Sequence, residues 1–288
     1  EAHSNRGNAL QGLGRLEESL RSYERAIELK PNYAEAYFFL GVNQVDLIQS
    51  QAAIVSLKKY IQIKPKNAAA HYHLGVAYIQ LKKYQEAMTA FKDATRINPN
   101  YADAHYNLGT ILEKLDQFDK AITSYKKVIK INPNYVNAYY NQATIFQKLG
   151  KYQKAVSYYQ NTIKIDSNNA DAYNNLGFVF QKINKFNESI TSYQKAIKIK
   201  PNYAKAYSNL LFNLNYKINF NSDEYLSEAK KFRLNCMTIK KKLSFKYNYE
   251  NEPKKLKLGL VSADFGNHPG GFFTLSTLRE LREKNFDL

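Results

Sequence analysis

From residue 1 to about residue 215 the sequence repeats itself every 34 residues, and this period constrains the fold more than any other feature. Prolines stand at Pro31, Pro65, Pro99, Pro133 and Pro201, with Ser167 in the remaining slot. Ten residues after each come Gly41, Gly75, Gly109, Ala143 and Gly177, then Ala53, Ala87, Ala121, Ala155 and Ser189, then Leu57, Phe91, Tyr125, Tyr159 and Tyr193. A leucine precedes the small residue of the first helix at Leu40, Leu74, Leu108 and Leu176, with Gln142 as the exception. The pattern predicts a hairpin of two helices, A and B. Small residues such as Gly75 and Ala87 let the two approach, and a large one such as Phe91 fills the space beside them. Ala36, Ala70, Ala104, Ala138, Ala172 and Ala206 predict a tight contact with the preceding helix. Gly14, Asp116, Gly150 and Asn184 tolerate the left-handed backbone that ends helix A. The prolines stop helix B before the next unit starts. One such hairpin cannot bury its apolar face alone, so six of them plus a partial seventh helix are expected to stack into a right-handed solenoid. Its core would be continuous and helix A would line a long groove.

These positions resemble the tetratricopeptide repeat over residues 1–215. Tyr37, His71, His105, Tyr139 and Tyr173 stand where that family usually carries tryptophan, and the two histidines read as packing residues. Two residues further on the chain has Asn5, Phe39, His73, Asn107, Asn141, Asn175 and Asn209. An amide carries both donors and an acceptor, so a row of asparagines predicts binding of an extended peptide through its backbone, without reading its sequence. Phe38, Tyr72, Tyr106 and Tyr140 beside the row read equally as aromatic contacts and as packing between repeats. The ladder is similar to that of the protein O-linked N-acetylglucosamine transferases, where it grips the acceptor polypeptide. Phe39 and His73 depart from it.

Residues 204–215 begin a seventh helix A, and Leu211 replaces the expected glycine. Ser222 reads as the N-cap of a further helix over 223–242, with Tyr225, Ala229, Phe232, Cys236 and Ile239 on one face. Lys240, Lys241 and Lys242 read as a solvated cluster at its end, and residues 244–255 as a linker. At Leu256 the rhythm changes. An apolar strand (Leu256, Leu258, Leu260, Val261), a loop over 266–271, an amphipathic helix over 272–284 and the start of another strand form the opening unit of an open parallel sheet. Gly270 and Gly271 bring backbone amides to a helix N-terminus, a natural seat for phosphate or a sugar oxygen. His268 stands in the same loop.

Leu-Gly-Leu-Val-Ser-Ala-Asp-Phe-Gly-Asn-His-Pro is similar to the start of the catalytic region of the same transferases, in their bacterial and SPINDLY-like branch, as is Ser208–Tyr216 to the segment before it. The resemblance implies a mainly α chain. The repeats (1–215) and a connector (216–255) would precede the truncated start (256–288) of a Rossmann-like glycosyltransferase domain. It implies inverting transfer of N-acetylglucosamine from UDP-GlcNAc to Ser or Thr hydroxyls of acceptor polypeptides held in the groove, with no metal. His268 would lie in the active site as a possible base, Gly270 and Gly271 against the donor, and Asn5, Asn107, Asn141, Asn175 and Asn209 against the peptide. The second histidine of animal members is absent from Pro-Gly-Gly-Phe-Phe. Residues 1–288 alone are expected to be inactive. Two readings stay open beside this one: a non-enzymatic adaptor for protein–protein interaction, and O-fucosyl transfer within the same superfamily.

Composition excludes little more. The net charge of +17 is spread along the repeats without a nucleic-acid motif, so nucleic acid is not the expected partner. An acidic polypeptide or an anionic nucleotide-sugar fits that field better. Cys236 is the only cysteine, which fits a reducing, cytoplasmic setting. No apolar run is long enough to cross a membrane.

Overall fold

A computed structural model describes residues 1–216 and 221–236, and every regular element among them is a helix. In chain order the A/B pairs are α1 (Ala2–Gly12) with α2 (Leu16–Leu29), α3 (Ala34–Asp46) with α4 (Ser50–Ile63), and α5 (Ala68–Gln80) with α6 (Tyr84–Ile97). Then come α7 (Ala102–Lys114) with α8 (Phe118–Ile131), α9 (Val136–Lys148) with α10 (Tyr152–Ile165), and α11 (Ala170–Lys182) with α12 (Phe186–Ile199). An unpaired α13 (Ala204–Leu214) and a terminal α14 (Ser222–Cys236) follow. The strand–loop–helix expected over 256–288 lies outside the described residues, as do 237–242 of the expected helix and the linker.

The helix ends follow from single residues. Every B helix ends two residues before the proline slot, leaving one residue between them. That residue is extended, as at Lys64 (φ −130°, ψ 80°) and Asn132 (φ −132°, ψ 97°), because a following proline disfavours the helical conformation. Every A helix of a paired hairpin ends in a left-handed residue, at positions 14, 48, 82, 116, 150 and 184. The next amide reaches back to the carbonyl five residues earlier, as from Gln49 to Gln44 at 2.7 Å and from Lys151 to Phe146 at 2.8 Å. This is the Schellman closure. Glycine, aspartate and asparagine mark four of these turns. Ile48 and Lys82 occupy the other two, where residue type argues against the geometry and the period imposes it.

Within five of the six hairpins a glycine of helix A faces a large side chain of helix B, and Ala143 takes its place in the other. A Cβ on Gly75 would stand 2.7 Å from the Phe91 ring, and one on Gly109 2.7 Å from the Tyr125 ring. Tyr23, Tyr125, Tyr159, Tyr193 and Phe91 are all fully buried at these wedges. Leu57, Phe91, Tyr125 and Tyr159 join one apolar cluster that runs from Val45 to Val179, so neighbouring repeats there share a core, while Tyr23 and Tyr193 sit in smaller clusters at either end. At the far end Leu210 and Leu214 of α13 pack on Ile190 and Tyr193. Helix α14 then covers Tyr207 through a ring contact from Phe232 at 5.6 Å and a hydrogen bond from Asn235 at 2.9 Å. Its cap is Asn221, whose Oδ1 accepts the Asp223 amide at 2.9 Å; the expected cap Ser222 is instead the first helical residue.

Successive A helices touch directly at α1/α3, α3/α5 and α11/α13, whereas no successive pair of B helices meets to the same extent. The A helices therefore lie on the inner wall of the superhelix and their free faces line its groove.

Candidate peptide-binding groove

The groove is built from residues that recur at one place in each A helix. Asn107, Asn141, Asn175 and Asn209 all stand there, partly exposed. Their amides are not free. Asn107 Nδ2 donates to the Tyr72 hydroxyl at 3.3 Å, Asn141 Nδ2 to the Tyr106 hydroxyl at 3.2 Å, and Asn175 Nδ2 to the Tyr140 hydroxyl at 2.9 Å. Each bond crosses from one repeat to the one before it. Asn141 also donates to Tyr125 at 3.1 Å. Part of their donor capacity is therefore spent on bonds between repeats. The Asn141 amide uses both its N–H groups in this way and the Asn107 amide one of its two, while the Oδ1 of each has no partner among the described residues. At Asn175 the oxygen accepts from Asn174 at 3.1 Å, and Asn209 donates to Asn174 Oδ1 at 3.0 Å, so Asn174 links the last two rungs. Asn5 is exposed, and its side chain makes no hydrogen bond among the described residues.

Tyr72, Tyr106 and Tyr140 serve packing and hydrogen bonding within the array. Their rings pack on the helix-B wedge of the same repeat, at 5.9 Å to Phe91, 5.8 Å to Tyr125 and 5.8 Å to Tyr159, while their hydroxyls hold the next ladder amide. Burial raises the Tyr72, Tyr125, Tyr140 and Tyr159 hydroxyls above the usual phenol range, so they remain protonated and able to donate. Where the ladder breaks, the groove becomes aromatic. Phe39 stacks on Tyr23 at 5.9 Å, Phe38 meets Phe39 at 5.3 Å, and His73 meets Phe38 at 6.1 Å and Tyr72 at 5.3 Å. Burial lowers the His73 imidazole against the pull of Asp46, so it stands neutral among these rings. The groove thus has an aromatic end in its early repeats and an amide-lined stretch after it.

His71 and His105 do more than fill space. Their Nε2 atoms meet the Pro65 and Pro99 carbonyls at 3.1 and 2.9 Å, tying each A helix to the loop before it. His268, Gly270 and Gly271 lie outside the described residues. Sequence reasoning missed a third row, Tyr33, Tyr101, Tyr135 and Tyr203 at the mouths of the A helices, and the carboxylates Asp103 and Asp171 bonded to it. The Tyr135 hydroxyl donates to Asp103 at 3.1 Å and the Tyr203 hydroxyl to Asp171. The 34-residue period marks these tyrosines as plainly as it marks the asparagines. Among the described residues no helix is long and apolar enough to cross a membrane.

Family models described as tetratricopeptide repeat match residues 49–90, 102–135, 124–157 and 170–203, and one described as TPR repeat matches 7–45, 77–116 and 143–184. Among solved structures the chain is similar to MamA, at 30% identity over 57% of this chain and 96% of that one, with a TM-score of 0.55. It is also similar to YrrB, described as a TPR protein with an unusual peptide-binding site, at 25% identity over 65% and 96% of the two chains, with a TM-score of 0.58. The C-terminal part of a TPR repeat-containing protein from Cytophaga hutchinsonii shares the fold at 16% identity, covering 82% of this chain and 96% of that one, with a TM-score of 0.70. No curated protein matches the chain.

Proposed function

Because the chain belongs to the tetratricopeptide-repeat family, we propose that it is a peptide-binding scaffold whose A-helix groove holds an extended segment of a partner protein. The observation that carries this reading is the oriented ladder. The Asn107 and Asn141 amides are turned the same way by tyrosines one repeat back, leaving Oδ1 atoms to accept peptide N–H groups. Packed helices lie ~8–10 Å apart, and an extended chain rises ~3.3 Å per residue. One rung therefore serves about every third residue of a bound strand, and it contacts backbone. Such a groove selects for extended conformation and leaves side-chain preference to the flanking aromatic and charged groups. The description of YrrB as a peptide-binding protein supports the same use of the fold.

Selection of random-sequence displayed peptides on the full chain tests this. Binders competed away by groove-filling Thr110→Arg and Thr144→Arg are the expected result, since both threonines stand on the ladder face next to the rungs. Binders that survive both substitutions overturn the groove as the site.

A second reading is carried by sequence alone. The resemblance of residues 256–288 to a transferase catalytic region makes the groove an acceptor-delivery arm, with His268 near the sugar and Gly270 and Gly271 near the donor phosphates. Transfer of labelled N-acetylglucosamine from UDP-GlcNAc to protein Ser or Thr by the intact gene product, lost in His268→Ala, is the expected outcome. Transfer from a guanosine-nucleotide fucose donor would move the reading to the fucosyl branch. No transfer from either donor leaves the scaffold reading standing by itself.

A further inference from the structure

The second residue of an A helix is acidic in three repeats, Glu35, Asp103 and Asp171. The residue 29 positions later, which ends the B helix of the same repeat, is Lys64, Asn132 and Lys200 respectively. In the first case Lys64 Nζ pairs directly with Glu35. In the last, Lys200 Nζ stands 5.0 Å from the centre of the Tyr203 ring, whose hydroxyl donates to Asp171. The chain thus supplies its own cation at both flanking sites. At the middle site it does not. Asn132 replaces the lysine, and its Oδ1 accepts the Asn134 amide at 3.0 Å. Asp103 is exposed, accepts the Tyr135 hydroxyl at 3.1 Å, and makes no ion pair among the described residues.

The surroundings of Asp103 are aromatic. Tyr72 and Tyr101 have ring centres 5.0 Å apart, and Tyr106 and Tyr135 have theirs 5.1 Å apart. All four rings are partly exposed, and no lysine or arginine of the described residues stands over any of them. Burial pushes the Tyr101 hydroxyl up to about 12, with Tyr72 and Asp103 adding to it, so it is neutral at physiological pH. A carboxylate beside tyrosine faces attracts a cation twice, through its charge and through the ring quadrupoles.

We propose that Asp103 with the faces of Tyr72, Tyr101, Tyr106 and Tyr135 is a seat for one cationic side chain, arginine or lysine, of the segment lying in the groove. The seat borders the ladder, since the Tyr72 and Tyr106 hydroxyls are the ones that hold Asn107 and Asn141. It rests on the groove reading and adds a side-chain preference to a ladder that by itself reads backbone. It also sets local chemistry against the global charge: a chain of net charge +17 places an unpaired carboxylate on its inner wall.

N-acetylarginine amide and its neutral isostere N-acetylcitrulline amide, titrated into the full chain with labelled tyrosines, test the seat without any peptide. The expected result is a saturable shift of tyrosine resonances by the arginine probe, about tenfold weaker with citrulline, as a partly desolvated cation–π and carboxylate contact requires. Asp103→Asn should reduce the arginine response to the citrulline level. Asn132→Lys, which installs the cation found at the flanking sites, should do the same with helicity unchanged. Equal affinity of the two probes, or an arginine response kept in Asp103→Asn, overturns the seat. Displayed peptides separate the two proposals. Groove binders without any preference for basic residues sink the seat alone, whereas an absence of groove-competed binders sinks the groove reading while the amide probes still decide the seat.

Discussion

Gln142 occupies the slot that Leu40, Leu74, Leu108 and Leu176 fill in other repeats. It is fully buried, and neither atom of its amide finds a partner among the described residues. An amide removed from water without a hydrogen bond costs about 1–3 kcal/mol. Gln142→Leu, close in volume, should therefore raise stability by about that amount, seen as a higher urea midpoint at unchanged slope. A lower midpoint would show that the amide is satisfied after all. Ile48 is a second residue out of place: a β-branched side chain at φ 58° with 74% of its surface exposed. Left-handed backbone costs an L-residue about 1–2 kcal/mol, and glycine gives part of that back as chain entropy. Ile48→Gly should stabilise by about 0.5–1 kcal/mol, and Gly150→Ile at the equivalent turn should destabilise. Identical melting of Ile48→Gly and the parent would refute the strain. Residue type revealed the turns at Gly14, Asp116, Gly150 and Asn184. At Ile48 and Lys82 only the period reveals them, because neighbouring closed hairpins force the conformation on whatever residue stands there.

At the level of the element, the hairpin depends on how closely two helices approach. Thr110, next to Gly109, meets the Tyr125 hydroxyl at 3.3 Å, and this contact exists only because no side chain at 109 separates the helices. Gly109→Val should cost about 1–3 kcal/mol by overpacking. Gly109→Ala should cost less, because Ala143 already stands opposite Tyr159 in the next repeat with both fully buried. Equal denaturation midpoints for the parent and Gly109→Val would show that the wedge can slide. The hairpins, their boundaries and their wedges were all legible in the sequence, since each is set by contacts inside one period. What the ladder amides do was not. Whether Asn141 Nδ2 points into the groove or back to Tyr106 depends on how one repeat is rotated on the one before, and a 35-residue hydrogen bond leaves no local mark. The same holds for Asp103, whose lack of a cation becomes visible only when its B-helix partner position is compared with those of Glu35 and Asp171.

Across the whole molecule the tyrosines form a distributed alkaline trigger. Tyr23, Tyr125, Tyr159 and Tyr193 are fully buried wedges in four of the six hairpins. Burial raises the hydroxyls of all four above the ordinary phenol value of 10.0. The unfolded chain releases these protons near pH 10, whereas the folded chain holds them to higher pH. Over that window the native state binds more protons than the unfolded one, so stability is whole below pH 10 and falls as pH rises through the folded values. The repeats carrying Tyr125 and Tyr159 share one core and those carrying Tyr23 and Tyr193 stack against its ends, so the loss in several hairpins should appear as a single steep transition. Tyrosinate absorbance and loss of helical circular dichroism are expected to rise together above pH 10. Neutralisation of the lysines in the same range relieves repulsion in a chain of net charge +17, which acts in the opposite direction. Tyr125→Phe separates the two effects. It removes one titrating wedge along with its bonds to Thr110 and Asn141, so it should lower stability at neutral pH by about 1 kcal/mol and yet move the alkaline midpoint upward relative to that baseline. If the tyrosines instead titrate smoothly near pH 10 while the helices persist, the wedges are more accessible to water than their burial implies, and the alkaline limit of the fold must lie elsewhere.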